Sequence, residues 1–249
     1  MSDIRKYPYW AVVKFDLIVK EFEPEFMAYF DDHIRELAER VGFIRAWRTR
    51  ELRHAPNEGL LEQEFCQIYQ IDDPARFTGS TPSRPVAPAT HKEPFRRDLV
   101  NWNRPFYRVL SAPEKDARSG SCWARFEVNF RGRPAHEAAF ERDHARHVAR
   151  VLELPGIHRA WQLKHASHEL QIGPNPVGRY MSVYEADAPE NVFDPSLGAE
   201  RLPWRSARWG IQTASVARHF SRLLLAVRAT NKSRQAPAGS KKPAGDRGR

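Results

Sequence analysis

Two histidines, His33 and His147, occupy matching places in the chain. One opens the run His33-Ile34-Arg35-Glu36-Leu37-Ala38-Glu39-Arg40-Val41-Gly42-Phe43-Ile44-Arg45-Ala46-Trp47. The other opens His147-Val148-Ala149-Arg150-Val151-Leu152-Glu153-Leu154-Pro155-Gly156-Ile157-His158-Arg159-Ala160-Trp161. Imidazole titrates near neutrality, so either ring is a candidate general acid or base. Asp143 lies four residues before His147 and could orient it on a helix, and His144 adds a second imidazole. Tyr29 and Phe30 stand at those two places in the first run, so if one half is catalytic the second is favoured. The competing reading makes each histidine a half-buried ring that fixes a helix on its sheet.

Arg45 and Arg159 precede Trp47 and Trp161 by two residues, which on a strand puts each pair on one face. A guanidinium there could hold a carboxylate, enolate or phenolate while the indole stacks on a ring. The arginines could equally pair with inner acids such as Asp16 or Glu127. Tyr69 and Tyr184 are candidates to donate to a substrate oxygen.

These residues recur because the sequence repeats. His, Gly, Arg, Ala and Trp of the two runs match at an offset of 114. Downstream, Ile68-Tyr69-Gln70-Ile71-Asp72-Asp73-Pro74 matches Val183-Tyr184-Glu185-Ala186-Asp187-Ala188-Pro189, and upstream Trp10-Ala11 matches Trp123-Ala124. Pro94-Phe95-Arg96 is echoed by Pro203-Trp204-Arg205. Four blocks in one order indicate a tandem duplication, with repeats over 1–115 and 116–228.

Each repeat opens with alternation, Ala11, Val13 and Phe15 or Ala124, Phe126 and Val128 forming the aliphatic face of a strand. A helix comes next, with buried stripes Phe26, Phe30, Ile34, Leu37, Val41 and Phe140, Val148, Val151, Leu152; Gly42 and Gly156 end it. Two more strands succeed it, then an Asp-x-Pro start to a second helix, then a last strand over Phe106–Leu110. Its counterpart near Phe220–Val227 could be strand or helix. The order β-α-β-β-α-β, twice, gives an α+β fold of two ferredoxin-like units. With helices on the aliphatic faces, the two antiparallel sheets pair through their other faces into an intrachain α/β barrel. Trp10, Trp47, Tyr69, Trp123, Trp161 and Tyr184, among Lys14, Asp16, Arg45, Gln67, Arg125, Glu127, Asn129, Arg159 and Ser182, would then line an inter-sheet cavity for a small organic ligand.

The chain of 249 residues carries a formal charge of +9, but the distribution argues against specific nucleic-acid binding. Residues 231–249 hold six basic residues and one acid without a large apolar side chain, so 229–249 reads as a disordered basic tail. No apolar run is long enough to span a membrane. The N-terminus lacks the apolar core of a signal peptide, and Cys66 and Cys122 read as reduced, packed thiols, so the expected location is the cytoplasm. No P-loop, dinucleotide-binding glycine motif, GxSxG or HExxH occurs, and no metal site is expected.

The second repeat, with His147, Leu154-Pro155-Gly156 and Tyr184-Glu185-Ala186-Asp187-Ala188-Pro189, resembles the EthD-like branch of the dimeric α/β-barrel superfamily. The first departs from it, with Arg40-Val41-Gly42 and Gln70 at the corresponding places. The resemblance implies a barrel made of two paired units. It also implies a range of activities, from cofactor-independent cyclases, isomerases and monooxygenases to haem enzymes of the chlorite dismutase type. Together with the residues above, it gives the expectation of a cofactor-free isomerase, cyclase or lyase. Such an enzyme would act by acid–base chemistry on an aromatic, polyketide-like or lactone-like molecule. A non-catalytic binding protein is the alternative, and a homodimer of the fused pair is left open. Haem, for which His158 and His165 would be the candidate ligands, is disfavoured by the charged inner faces.

Overall fold

Proline and acidic residues start both long helices where their physics is favourable. Pro24 and Pro134 sit in first turns that have no amide partner to lose, and Glu23, Glu25 and Glu137 face the positive helix end. The computed structural model describes residues 2–17, 20–52, 63–77, 99–173, 178–192 and 213–229. In chain order its elements are α1 (Ser2–Lys6), β1 (Tyr9–Leu17), α2 (Glu23–Ala38), β2 (Phe43–Glu51), β3 (Phe65–Ile71), β4 (Leu99–Asn103), β5 (Phe106–Ser111), β6 (Cys122–Phe130), α3 (Pro134–Leu152), β7 (Ile157–His165), β8 (Tyr180–Ala186) and β9 (Thr213–Arg228). The segment left open between strand and helix is therefore a strand, β9.

Hydrogen bonding closes the sheet on itself. β1 pairs with β3, and the ring continues through β2, β9, β6, β8, β7 and β5 back to β1, every contact antiparallel. β4 and β5 act as one stave, broken where Pro105 offers a carbonyl to Val12 N but has no N–H of its own. The two halves are joined by their last strands: β9 lies between β6 and β2, and β5 lies between β1 and β7. This is an α+β architecture with α2 and α3 packed on the outside of a barrel.

Two departures concern the helices. Val41 lies beyond the end of α2 and is 55% exposed, so the buried stripe ends at Leu37 and Ala38. The expected second helices are short 3-10 turns over Pro74–Phe77 and Pro189–Val192, and the residues immediately after each turn lie outside the described set. Asp73 caps the first turn by accepting from Ala75 N. Residues 230–249 of the expected tail also lie outside the described set. Among the described residues no helix is long and apolar enough to cross a membrane.

Candidate functional site

The barrel interior is not the polar cavity expected. Trp10, Trp47, Trp123 and Trp161 meet there in one cluster, each ring centroid 5.2–6.0 Å from the other three. Val12, Cys66, Ile68, Val109, Leu163, Met181 and Val183 complete a dry waist. The indole faces pack on one another, which makes Trp47 and Trp161 part of this core cluster.

Strand register explains the difference. Directly opposed residues of an antiparallel pair share a face. Trp47 opposes Ile68 and Trp161 opposes Val183, so Ile68 and Val183 turn inward. Tyr69 and Tyr184, one position on, must turn outward under the helices, where they join the two helix-side cores. Assigning the aliphatic side of every strand to the helices fails because a dry barrel needs aliphatic residues on its inner side too.

Charges occupy the interior beside the indoles. Lys14 Nζ lies 3.7 Å from Glu127 Oε1. Glu51 gathers Arg125 at 3.4 Å, His219 Nδ1 at 3.3 Å and the Ser221 hydroxyl at 3.1 Å. Lys14, Arg125 and Glu127 were expected inside; Glu51, His219 and Ser221 were not, because their facing depends on the β2–β9 and β6–β9 registers. Arg159 pairs with acids, as one of its two readings held, but with Glu185 at 3.1 Å and Glu114 at 2.9 Å. Arg45 is half-buried, opposite Gln70 on β3 and Arg228 on β9.

In the second half, α3 buries His144 and His147 against the sheet. His144 Nε2 meets Ser182 Oγ at 2.5 Å, and the ring packs near Phe140 and Tyr180. Burial, with His147 adding to it, depresses the His144 imidazole to about 3, so it is neutral at pH 7. Asp143 forms an ion pair with Arg146 at 2.9 Å. Burial raises the Tyr184 phenol above its ordinary value, which keeps it protonated.

In the first half, the layer under α2 holds a guanidinium and an amide where the second half has Gln162 and Ser182. Arg48 and Gln67 are directly opposed on β2 and β3 and face the helix. Arg48 donates to Met27 O at 3.1 Å and pairs with Asp31 at 2.5 Å, and burial lowers its pKa. Tyr69 donates to Gln67 Oε1 at 2.7 Å. That bond fixes the Gln67 amide so that its NH2 group has to donate elsewhere. Yet Gln67 Nε2 and Arg48 Nε are both buried without a hydrogen-bond partner. Asp31, at the outer edge of this layer, has a side chain 29% exposed. Burial raises the Tyr69 phenol despite Arg48, so it stays a neutral donor. Tyr29 is near enough to raise it further, and His33 stacks on Tyr29 at 6.2 Å. Arg48 was missed, although its parity relative to Trp47 was the available signal; Gln67 and its counterpart Ser182 were expected on the inner wall, and the register with Trp47 and Trp161 turns both to the helix side instead.

Solved structures share this architecture. An anthrone oxidase-like protein superimposes with a TM-score of 0.62 at 13% identity, over 92% of this chain and 97% of its own. The chain has the ferredoxin-like dimeric α/β-barrel fold. A protein from Fusobacterium nucleatum assigned as a candidate monooxygenase gives 0.60 at 13% identity, over 89% and 94% of the two chains. Another so assigned, from Lactobacillus acidophilus, gives 0.59 at 10% identity, over 89% and 96%. These identities make the likeness one of fold. No family model matches the chain, and no curated protein matches it in sequence.

Proposed function

We propose that the chain is an enzyme that moves protons on a small aromatic or polyketide-like molecule without a bound cofactor. Its site is the layer between α2 and the sheet of the first half. The observation that carries this reading is the pair of acceptorless donors, Gln67 Nε2 and Arg48 Nε, on one cross-strand pair. A buried donor left unsatisfied costs about 1–3 kcal/mol, and native proteins keep few of them. A ligand oxygen that carries or develops negative charge would accept from both, as an enolate or phenolate does. His33, reached through Tyr29, is the group that would take the proton. The site thus moves from the second half, where Ser182 and burial hold His144, to the first. The ligand class follows from the aromatic wall of Tyr29, Phe30 and Tyr69 and accords with the name of the anthrone oxidase-like neighbour.

The equal element order of the halves and the sequence offset support a duplicated unit, 1–115 and 116–228, which we propose belongs to the EthD-like branch. Haem does not fit the two candidate ligands: His158 is held between Asp116 and Asp187, and His165 Nε2 already meets Gln171 Oε1.

Anthrone is a suitable probe because loss of its acidic ring C–H gives an oxyanion. In air it consumes one O2 and yields anthraquinone and one water. The wild type is expected to accelerate that loss. Gln67→Leu and Arg48→Met should each slow it about 100-fold, the order of one oxyanion donor. His33→Ala should lose turnover while keeping anthrone affinity. Binding without acceleration would instead make the protein a carrier, and no binding would remove the reading.

A further inference from the structure

The linker between the two halves is built as a strap. Beyond β5 it runs along β7, with Ala160 N donating to Pro113 O and Lys115 N to His158 O. It then crosses the end of the barrel, where Gly120 N donates to Glu185 Oε1 and Arg159 donates to Ala117 O. Glu185 opposes Trp123 on β6, so its carboxylate shares the inner face with that indole.

One side chain clamps this segment. His158 Nδ1 lies 3.1 Å from both carboxylate oxygens of Asp116 on the strap, and Nε2 lies 2.8 Å from Asp187 Oδ1 at the end of β8. Ionised carboxylates only accept, so both ring nitrogens can donate only as imidazolium. The ring is 1% exposed, whereas Asp116 and Asp187 reach solvent. The charged groups around it are Asp116, Asp187, Arg118 bonded to Asp116, and Lys115, whose Nζ donates to the carbonyls of Glu153 and Leu154. Arg159, Glu114 and Glu185 form the adjoining ion pairs. Ile44 stands at the place of His158 in the first half, so the clamp belongs to one end of the barrel only.

We propose that residues 112–120 form a pH-governed cover over this barrel end, latched by the His158 imidazolium between Asp116 and Asp187 and loosened when it loses a proton. Burial opposes the charge, but the bonds to Asp187 and Asp116 outweigh it and hold the histidine above its ordinary value. Asp116 is correspondingly pulled down to about 2, chiefly by its bond to His158. Loss of the proton removes one of the two donated bonds and leaves a carboxylate facing a lone pair.

Amide hydrogen exchange of 112–120, normalised for the intrinsic pH dependence of exchange, tests this on the full chain, alongside an NMR titration of the His158 ring. The expected result is one midpoint shared by both, above 6.5, with protection lost on the alkaline side. His158→Gln should leave 112–120 poorly protected at every pH. Asp116→Asn, which keeps the shape and removes one charge, should move both midpoints down. A His158 titration at its ordinary value would overturn the proposal. So would an alkaline loss of protection that persists unchanged in Asp116→Asn and His158→Gln.

Discussion

Lys14 and Glu127 form an ion pair inside the barrel, and they are each other's counterparts, 113 positions apart, as Trp10 and Trp123 are. The two indoles stack at 5.8 Å, so the equivalent positions of the halves meet at the middle of the fold. A barrel made from two copies of either half would bring two ammonium groups or two carboxylates together at that place. The fused chain brings opposite charges.

That relationship predicts a charge-reversal series. Glu127→Lys leaves two buried cations facing each other, and breaking a buried pair costs about 3–5 kcal/mol. Lys14→Glu should cost a similar amount. The double variant Lys14→Glu/Glu127→Lys should recover most of the loss. Urea denaturation of the four proteins measures it.

The tryptophan cluster predicts a large truncation effect. Trp123 is fully buried and contacts the three other indoles. Trp123→Ala should cost about 3–5 kcal/mol, the usual range for a large buried ring. Its near-ultraviolet circular dichroism should change more than that of a variant at an isolated tryptophan.

Gly42 predicts a backbone effect. Its φ is 92°, and a Cβ there would meet the Arg76 side chain, which binds Asp72 through both carboxylate oxygens. Gly42→Ala should therefore destabilise by more than about 1 kcal/mol, since alanine is strained in the left-handed conformation and must also displace Arg76. Thermal unfolding reports the loss.

His144 predicts part of the acid limb. Its folded pKa of about 3 lies below the ordinary 6.5, so between those values the unfolded chain binds the extra proton. Stability then rises with pH across that window, and is lost as pH falls from 6.5 towards 3. His144→Phe places the residue found at position 30 in the first half. Combined with Ser182→Ala, it should flatten this limb, as measured by the urea midpoint at about pH 7 and about pH 4.5.

The fold was legible because its signals are local. Alternation at Ala11, Val13 and Phe15, the α2 stripe from Phe26 to Leu37 and the glycine at 42 each point to one element. The facing of β3 and β8 was not legible, since both sides of Phe65–Ile71 are apolar enough to be buried and every residue in it is. Only pairing with Trp47 decides that Tyr69 turns outward. Gln67 was assigned to the wrong side with Tyr69, and Arg48, Glu51 and His219 were hidden for the same reason: each depends on a register that brings distant strands together. His158 could be seen as an isolated histidine, but nothing local announces that Asp116, 42 residues away, will close on it.

The proposed site holds a ligand oxygen beneath α2 between Arg48 and Gln67. A crystal structure of the chain soaked with anthrone tests it most directly. Density is expected in the first half, with the anthrone oxygen within hydrogen-bond distance of Gln67 Nε2 and Arg48 Nε. Density among the four indoles of the barrel, or beneath α3 beside His144, would contradict it.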